Sequence, residues 1–143
     1  MPTAGYSGTP LLKKLGVKDE QTALLVGVPE TVTELNSYNK WRRLKTAKTL
    51  RGCNGGPYDY IHFFTADEGL LQRAIPILKR ELQQAGMIWI SWPKKSSGVL
   101  STVTEDIVRK CALKQGLVDI KVCAIDNIWS GLKLVIPVKD RKI

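Results

Sequence analysis

The chain has 143 residues, 43% of them apolar, which suits one domain with a hydrophobic core and excludes a disordered segment. Its 22 lysines and arginines outnumber 13 acids, and a net charge of +9 points to anionic partners: a small anion, nucleic acid or an acidic surface. No apolar run is long enough for a membrane span, and three cysteines (Cys53, Cys111, Cys123) without a C-x-x-C pair argue against a disulfide scaffold or a zinc site.

The opening "MPTAGYSGTP" lacks the basic and apolar regions of a signal peptide, so a cytoplasmic location is expected. The first predicted helix is "TPLLKKLG" (9–16), with Thr9 as N-cap, Pro10 in the first turn and Gly16 at the end. "TALLVGVP" (22–29) is a continuous apolar run and reads as a buried strand. "ETVTELNS" (30–37) reads as a short helix, with Thr31 and Glu34 spaced as a capping box. A strand is expected around Thr46–Leu50, followed by a Gly/Pro-rich loop.

"YDYIHFF" (58–64) reads as the next buried strand. Thr65 and Glu68 are spaced to open a long helix reaching about Ala85, which Pro76 is expected to kink or break. "MIWISW" (87–92) is a further buried strand. Thr102 and Glu105 make another capping box, for a helix ending near Gly116. "LVDIKVCAID" (117–126) and "LKLVIPV" (132–138) read as strands joined by the turn "NIWSG".

Alternating strands and helices predict a single Rossmann-like α/β domain over residues 1–143, with three layers and a mostly parallel sheet. The last two strands are joined too closely for a crossover, so they form an antiparallel β-hairpin. That ending resembles the S-adenosylmethionine-dependent methyltransferase fold in a reduced form, short of one βα unit. The resemblance implies architecture alone. "LLVGVPE" carries only Gly27 where that family places several glycines, and no acid is placed to hold a ribose. A divergent methyltransferase is therefore one alternative, and no cofactor residue is assigned.

In open α/β sheets, ligands bind beyond the carboxyl ends of the strands. Three segments are predicted to meet there: "GYSGTP", "SWPKKSSG" and "NIWSG". They bring Tyr6, Trp92 and Trp129 as flat surfaces, and Ser7, Thr9, Ser96, Ser97 and Ser130 as hydroxyls. Gly8, Gly98 and Gly131 allow close backbone approach, while Lys94 and Lys95 supply charge. The combination predicts a non-catalytic module that binds a small anionic or nucleotide-like ligand. The competing structural reading makes "SWPKKSSG" a solvated loop and "NIWSG" a hairpin turn with Trp129 closing the core.

"AGYSGTPLLKKLG", "SWPKKSSG" and "DNIWSGLKLV" together resemble a family of small bacterial proteins catalogued as domain of unknown function number 3052. That resemblance covers nearly the whole chain. It implies a bacterial cytoplasmic protein with a Rossmann-like domain and carries no activity or catalytic residue.

The segment "NKWRRLKTAKTLRG" holds Lys40, Arg42, Arg43, Lys45, Lys48 and Arg51 around Trp41, with no acid. Cations for phosphates and an indole for a base make nucleic-acid binding the second function class. A solvated edge strand is the structural alternative. His62, the one histidine, lies inside an apolar strand and reads as a core residue, which argues against Ser/His or Cys/His catalysis. No P-loop, nucleophile elbow or metal-ligand spacing is present, and a protein-interaction module remains a third class. Asp126 reads first as a turn former.

Overall fold

Short apolar runs alternate with capped amphipathic segments, and each run becomes a strand flanked by helices. The computed structural model describes residues 10–142, so the candidates Tyr6, Ser7, Gly8 and Thr9 lie outside the described residues. In chain order the elements are α1 (Leu11–Leu15), β1 (Thr22–Val26), α2 (Thr33–Ser37), β2 (Arg43–Ala47) and β3 (Tyr58–Phe64). They continue as α3 (Glu68–Arg80), β4 (Leu82–Pro93), α4 (Glu105–Lys114), β5 (Val118–Ala124) and β6 (Trp129–Val135). Among the described residues the sheet has six strands in the order β2-β1-β3-β4-β6-β5.

β1 pairs in parallel with β2 and β3, and β3 with β4. β6 is antiparallel to both β4 and β5, so β5 runs with the parallel set. The expected hairpin is present, and its last strand is inserted between β4 and β5. No helix among the described residues is long and apolar enough to cross a membrane.

Two cores flank the sheet. α3 and α4 cover one face, where Leu71, Leu78, Val108 and Ala112 pack on Ile61, Ile88, Ile90 and Trp92. α1 and α2 cover the other, where Leu15 and Leu35 pack on Tyr60, Phe64 and Trp89. Alternation along β4 sends Trp89 and Trp92 to opposite faces, as the strand's period of two requires.

The helix starts differ from the predicted capping boxes. α2 begins after Val32, whose side chain is buried and whose N–H donates to the Pro29 carbonyl, so the helix takes no cap from Thr31. α3 is capped by Asp67, whose carboxylate accepts from the Leu70 N–H, while Thr65 accepts from the Asp67 N–H. α4 is capped by Thr104, which accepts from the Ile107 N–H. Thr102 instead serves the neighbouring helix: its hydroxyl accepts from the Glu68 N–H at 2.8 Å and ties the two N-termini together.

α3 passes through Pro76 unbroken and ends at Arg80 instead of about Ala85. Pro76 and Gln72 both face solvent, so water can satisfy the carbonyl that the proline leaves free. β4 consequently starts at Leu82, and β2 lies at 43–47, three residues earlier than predicted.

Candidate functional site: a cleft on the carboxyl edge

β4 delivers Trp92 and Pro93 to the carboxyl edge of the sheet. There the Lys94 N–H donates to the Ile128 carbonyl at 2.7 Å, which fixes the loop to the β5–β6 turn. Residues Lys95–Ser97 form one 3-10 turn. The Ser97 hydroxyl donates to the Lys94 carbonyl at 2.6 Å and accepts from the Val99 N–H at 3.1 Å. Gly98 follows at φ +78°, a left-handed conformation that favours glycine. The chain then runs to the N-cap of α4.

Between this loop and α4 lies an open cleft of about 670 Å³. Trp92 and Val103, both buried, contribute to its lining, and Pro93, Val99 and Leu100 add apolar surface. Lys94, Lys95, Ser101, Thr104, Glu105 and Ser130 add polar groups. This is the size and composition of a small-molecule site: mainly apolar, with a few polar groups.

The electrostatics favour an anion. Glu105 is the only carboxylate among the cleft residues, and its Oε2 lies 2.5 Å from Arg109 Nη2. Arg109 also pairs with Asp106 and Asp119. The Glu105 and Asp119 contacts hold the guanidinium above its ordinary pKa. Among the described residues neither Lys94 nor Lys95 forms an ion pair. The cleft therefore presents two uncommitted ammonium groups against a carboxylate that is already neutralised.

Asp126 closes the opposite turn. Its Oδ1 accepts from the Ile128 and Trp129 N–H groups, both at 2.8 Å, so it acts as the turn former. Asp126→Ala should destabilise the domain by about 1–3 kcal/mol, because it leaves two part-buried donors without an acceptor. A chemical-denaturation midpoint shift measures this, and no shift would mean that solvent satisfies the turn equally well.

Of the three segments expected to converge, the structure brings residues of two to one cleft, and "GYSGTP" up to Thr9 lies outside the described residues. Trp92, Lys94, Lys95, Gly98 and Ser130 line the one cleft. Ser96 is exposed and outside the lining, and Ser97 is engaged in folding its own turn. Trp129 and Gly131 belong to the opposite face. Trp129 packs edge-on to Phe64 at 5.3 Å, and a Cβ at Gly131 would lie 3.0 Å from Ser91 Oγ. Trp92 and Trp129 therefore cannot clamp one ring between them. α1 also packs on that opposite face, away from the cleft. Conversely, Val99–Glu105 contribute half of the lining and went unnoticed in the sequence. The visible signal was "GVL", two apolar residues in a loop directly after the lysines.

The basic segment is divided by the sheet edge. Arg43 Nη2 donates to the Gly55 carbonyl at 2.7 Å and its guanidinium sits over the Tyr58 ring, while Lys45 Nζ donates to Asn54 at 2.6 Å. Both anchor the 50–57 loop. Lys40, Arg42, Lys48 and Arg51 remain exposed. Trp41 packs against Tyr38 and Tyr60 with centroid distances of 4.8 and 5.5 Å, so its ring serves the core instead of standing free for a base.

A second, smaller cleft of about 340 Å³ lies beyond β1 and β2, lined by Gly27, Asn36, Thr46 and Lys48 among others. Rossmann dinucleotide sites place a ribose-binding acid about 20 residues after their first glycines. Here that region is the end of β2, and Lys48 follows it. Gly27 stands at φ +67°, with its N–H donating to the Ala47 carbonyl and a built Cβ 3.3 Å from the Phe64 carbonyl. Among the described residues this cleft offers no carboxylate to a ribose, and Lys48 stands where one would be expected, so its lining does not fit S-adenosylmethionine.

His62 is wholly buried in β3. Its Nδ1 lies 2.8 Å from the Tyr60 hydroxyl and its Nε2 lies 2.7 Å from Ser91 Oγ. Either neutral tautomer satisfies both contacts. Burial lowers its pKa from 6.5 to about 3, so the ring is neutral across the physiological range. Ser91 is equally buried, so this Ser–His contact has no access to a substrate. Burial also raises the thiol pKa of Cys53, Cys111 and Cys123, which makes them poor nucleophiles.

No family model and no curated protein matches the chain, so the likeness to domain of unknown function number 3052 rests on its three motifs alone. Solved structures do match. A SAM-dependent methyltransferase from Aquifex aeolicus is similar over 88% of this chain and 87% of its own, with TM-score 0.62 and 17% identity. Magnesium protoporphyrin IX methyltransferase from Synechocystis PCC 6803, with bound SAH, is similar over 87% of this chain and 78% of its own, with TM-score 0.58 and 12% identity. Precorrin-6y C5,15-methyltransferase from Geobacter metallireducens GS-15 covers 87% and is itself covered over 84%, with TM-score 0.56 and 12% identity. At these identities the likeness is one of fold, and the chain has the methyltransferase-like Rossmann fold.

Proposed function

We propose that this chain is a divergent relative of SAM-dependent methyltransferases that binds a small anionic or nucleotide-like ligand in the cleft between β4 and α4. The fold likeness supports the first half of that reading. The second half is carried by one observation: among the described residues, Lys94 and Lys95 form no ion pair in a cleft whose carboxylate is bound by Arg109. The cleft also lies on the edge where α/β sheets hold their ligands.

A thermal-shift panel tests it, using S-adenosylmethionine, nucleotides, sugar phosphates, inorganic phosphate and a short RNA. A ligand at a hundredfold excess over Kd should raise the melting temperature by roughly 5–10 °C. The Lys94→Ala/Lys95→Ala variant should fold normally and lose that shift. A shift that persists in the variant would place the site elsewhere.

Retained methyl-transfer chemistry is the second reading, favoured by the likeness of fold to methyltransferases and opposed by Lys48 and the single Gly27. It predicts a shift with S-adenosylmethionine that is abolished by blocking the 340 Å³ cleft and strengthened by Lys48→Glu, which supplies the missing carboxylate. No shift with that compound at millimolar concentration removes it. Nucleic-acid binding, left with the exposed Lys40, Arg42, Lys48 and Arg51, predicts RNA affinity that falls steeply with salt.

A further inference from the structure

The cleft between β4 and α4 is charged at one part and apolar over most of the rest. Leu100 is 93% exposed, and Val99 beside it is 44% exposed. Both line the cleft, together with Trp92, Pro93 and Val103. A purely ionic site for phosphate would gain nothing from such a lining, because small anions are held by donors and charge. Leaving a leucine in water is unfavourable, and covering it with an apolar group returns that free energy. Lysine, unlike arginine, offers a point charge without planar selectivity, so carboxylate and phosphate heads are equally suitable.

We propose that the ligand is an amphipathic anion. Its carboxylate or phosphate meets Lys94 and Lys95, and its aliphatic or aromatic body covers Val99 and Leu100 over the Trp92–Val103 side of the cleft. This rests on the reading of the cleft as an anion site and adds the chemical class of the ligand. Trp92 offers buried apolar surface here instead of a stacking clamp, since Trp129 lies on the other face. Glu105, held by Arg109, adds little repulsion to an entering anion.

The test compares three probes by calorimetry on the full chain: hexyl phosphate, inorganic phosphate and 1-hexanol. Hexyl phosphate should bind at least tenfold more tightly than either of the others. Leu100→Ser, at a position too exposed to affect folding, should weaken hexyl phosphate about tenfold and leave inorganic phosphate unchanged. Lys94→Ala/Lys95→Ala should weaken hexyl phosphate and inorganic phosphate together, with 1-hexanol unaffected. Equal affinity for hexyl phosphate and inorganic phosphate, with no effect of Leu100→Ser, overturns the amphipathic assignment and leaves the anion site standing. Equal affinity for hexyl phosphate and 1-hexanol overturns both, as does the absence of binding by all three.

Discussion

Trp89→Ala should destabilise the domain by about 3–5 kcal/mol, the range for removing a fully buried large aromatic side chain. Trp89 has no exposed surface and fills the core beneath α1 and α2. Its indole N–H also donates to the Leu15 carbonyl at 2.8 Å, at the last residue of α1. α1 has five residues, far below the length at which a helix persists alone, so its position depends on such contacts. The substitution therefore acts twice, through a cavity and through a buried carbonyl left without its donor. Urea denaturation should show the loss. Hydrogen exchange should show faster opening at Val17, whose N–H closes the helix end on the Leu12 carbonyl. Trp89→Phe separates the two effects, because it keeps most of the packing and loses the donor. A loss below about 1 kcal/mol in Trp89→Ala would mean that this face is loosely packed.

The strands were legible because buried strands of a parallel sheet are apolar on both faces, and "TALLV", "YDYIHFF" and "MIWISW" are such runs. β2 was misplaced because it is an edge strand with mostly exposed side chains, so no apolar run marks it. The capping boxes misled for a different reason. Thr31, Thr65 and Thr102 have the right spacing, but the helix after Thr31 starts later, Thr65 serves a local turn to Asp67, and a tertiary contact takes the Thr102 hydroxyl to Glu68. The alternation of strands placed "SWPKKSSG" on the ligand edge, and it does line a cleft there. The same reasoning brought Trp92 and Trp129 together, and this failed on parity. Trp92 pairs with Ser130 and Pro93 with Trp129, so the two indoles leave the sheet on opposite sides. Sequence spacing locates a segment on an edge, whereas the register decides its face. Trp41 shows the same limit, since its basic neighbours suggested a surface and Tyr38 and Tyr60 hold it against the core.

Between pH 7 and pH 5 the domain should lose about 2 kcal/mol of stability through a single group. His62 is the only histidine in the chain, so no other side chain has its ordinary pKa in that window. Its folded pKa is depressed to about 3 from 6.5 by burial. The unfolded chain takes up a proton as pH falls below about 6.5, and the folded chain does not. The stability is thus fully present above the unfolded pKa and declines as pH falls towards the folded one, by about 1.4 kcal/mol per unit. The ring cannot relieve this by turning to solvent, because it stacks on Phe64 at 4.3 Å and 14° and is bonded at both nitrogens. Denaturant midpoints across pH 5–7 measure the slope. His62→Gln keeps a donor and an acceptor for Tyr60 and Ser91, and it should be less stable at pH 7 yet nearly flat across the window. An unchanged slope in that variant would assign the proton uptake to another group. NMR of the folded protein gives the independent check, since the His62 ring should show no titration shift down to pH 5.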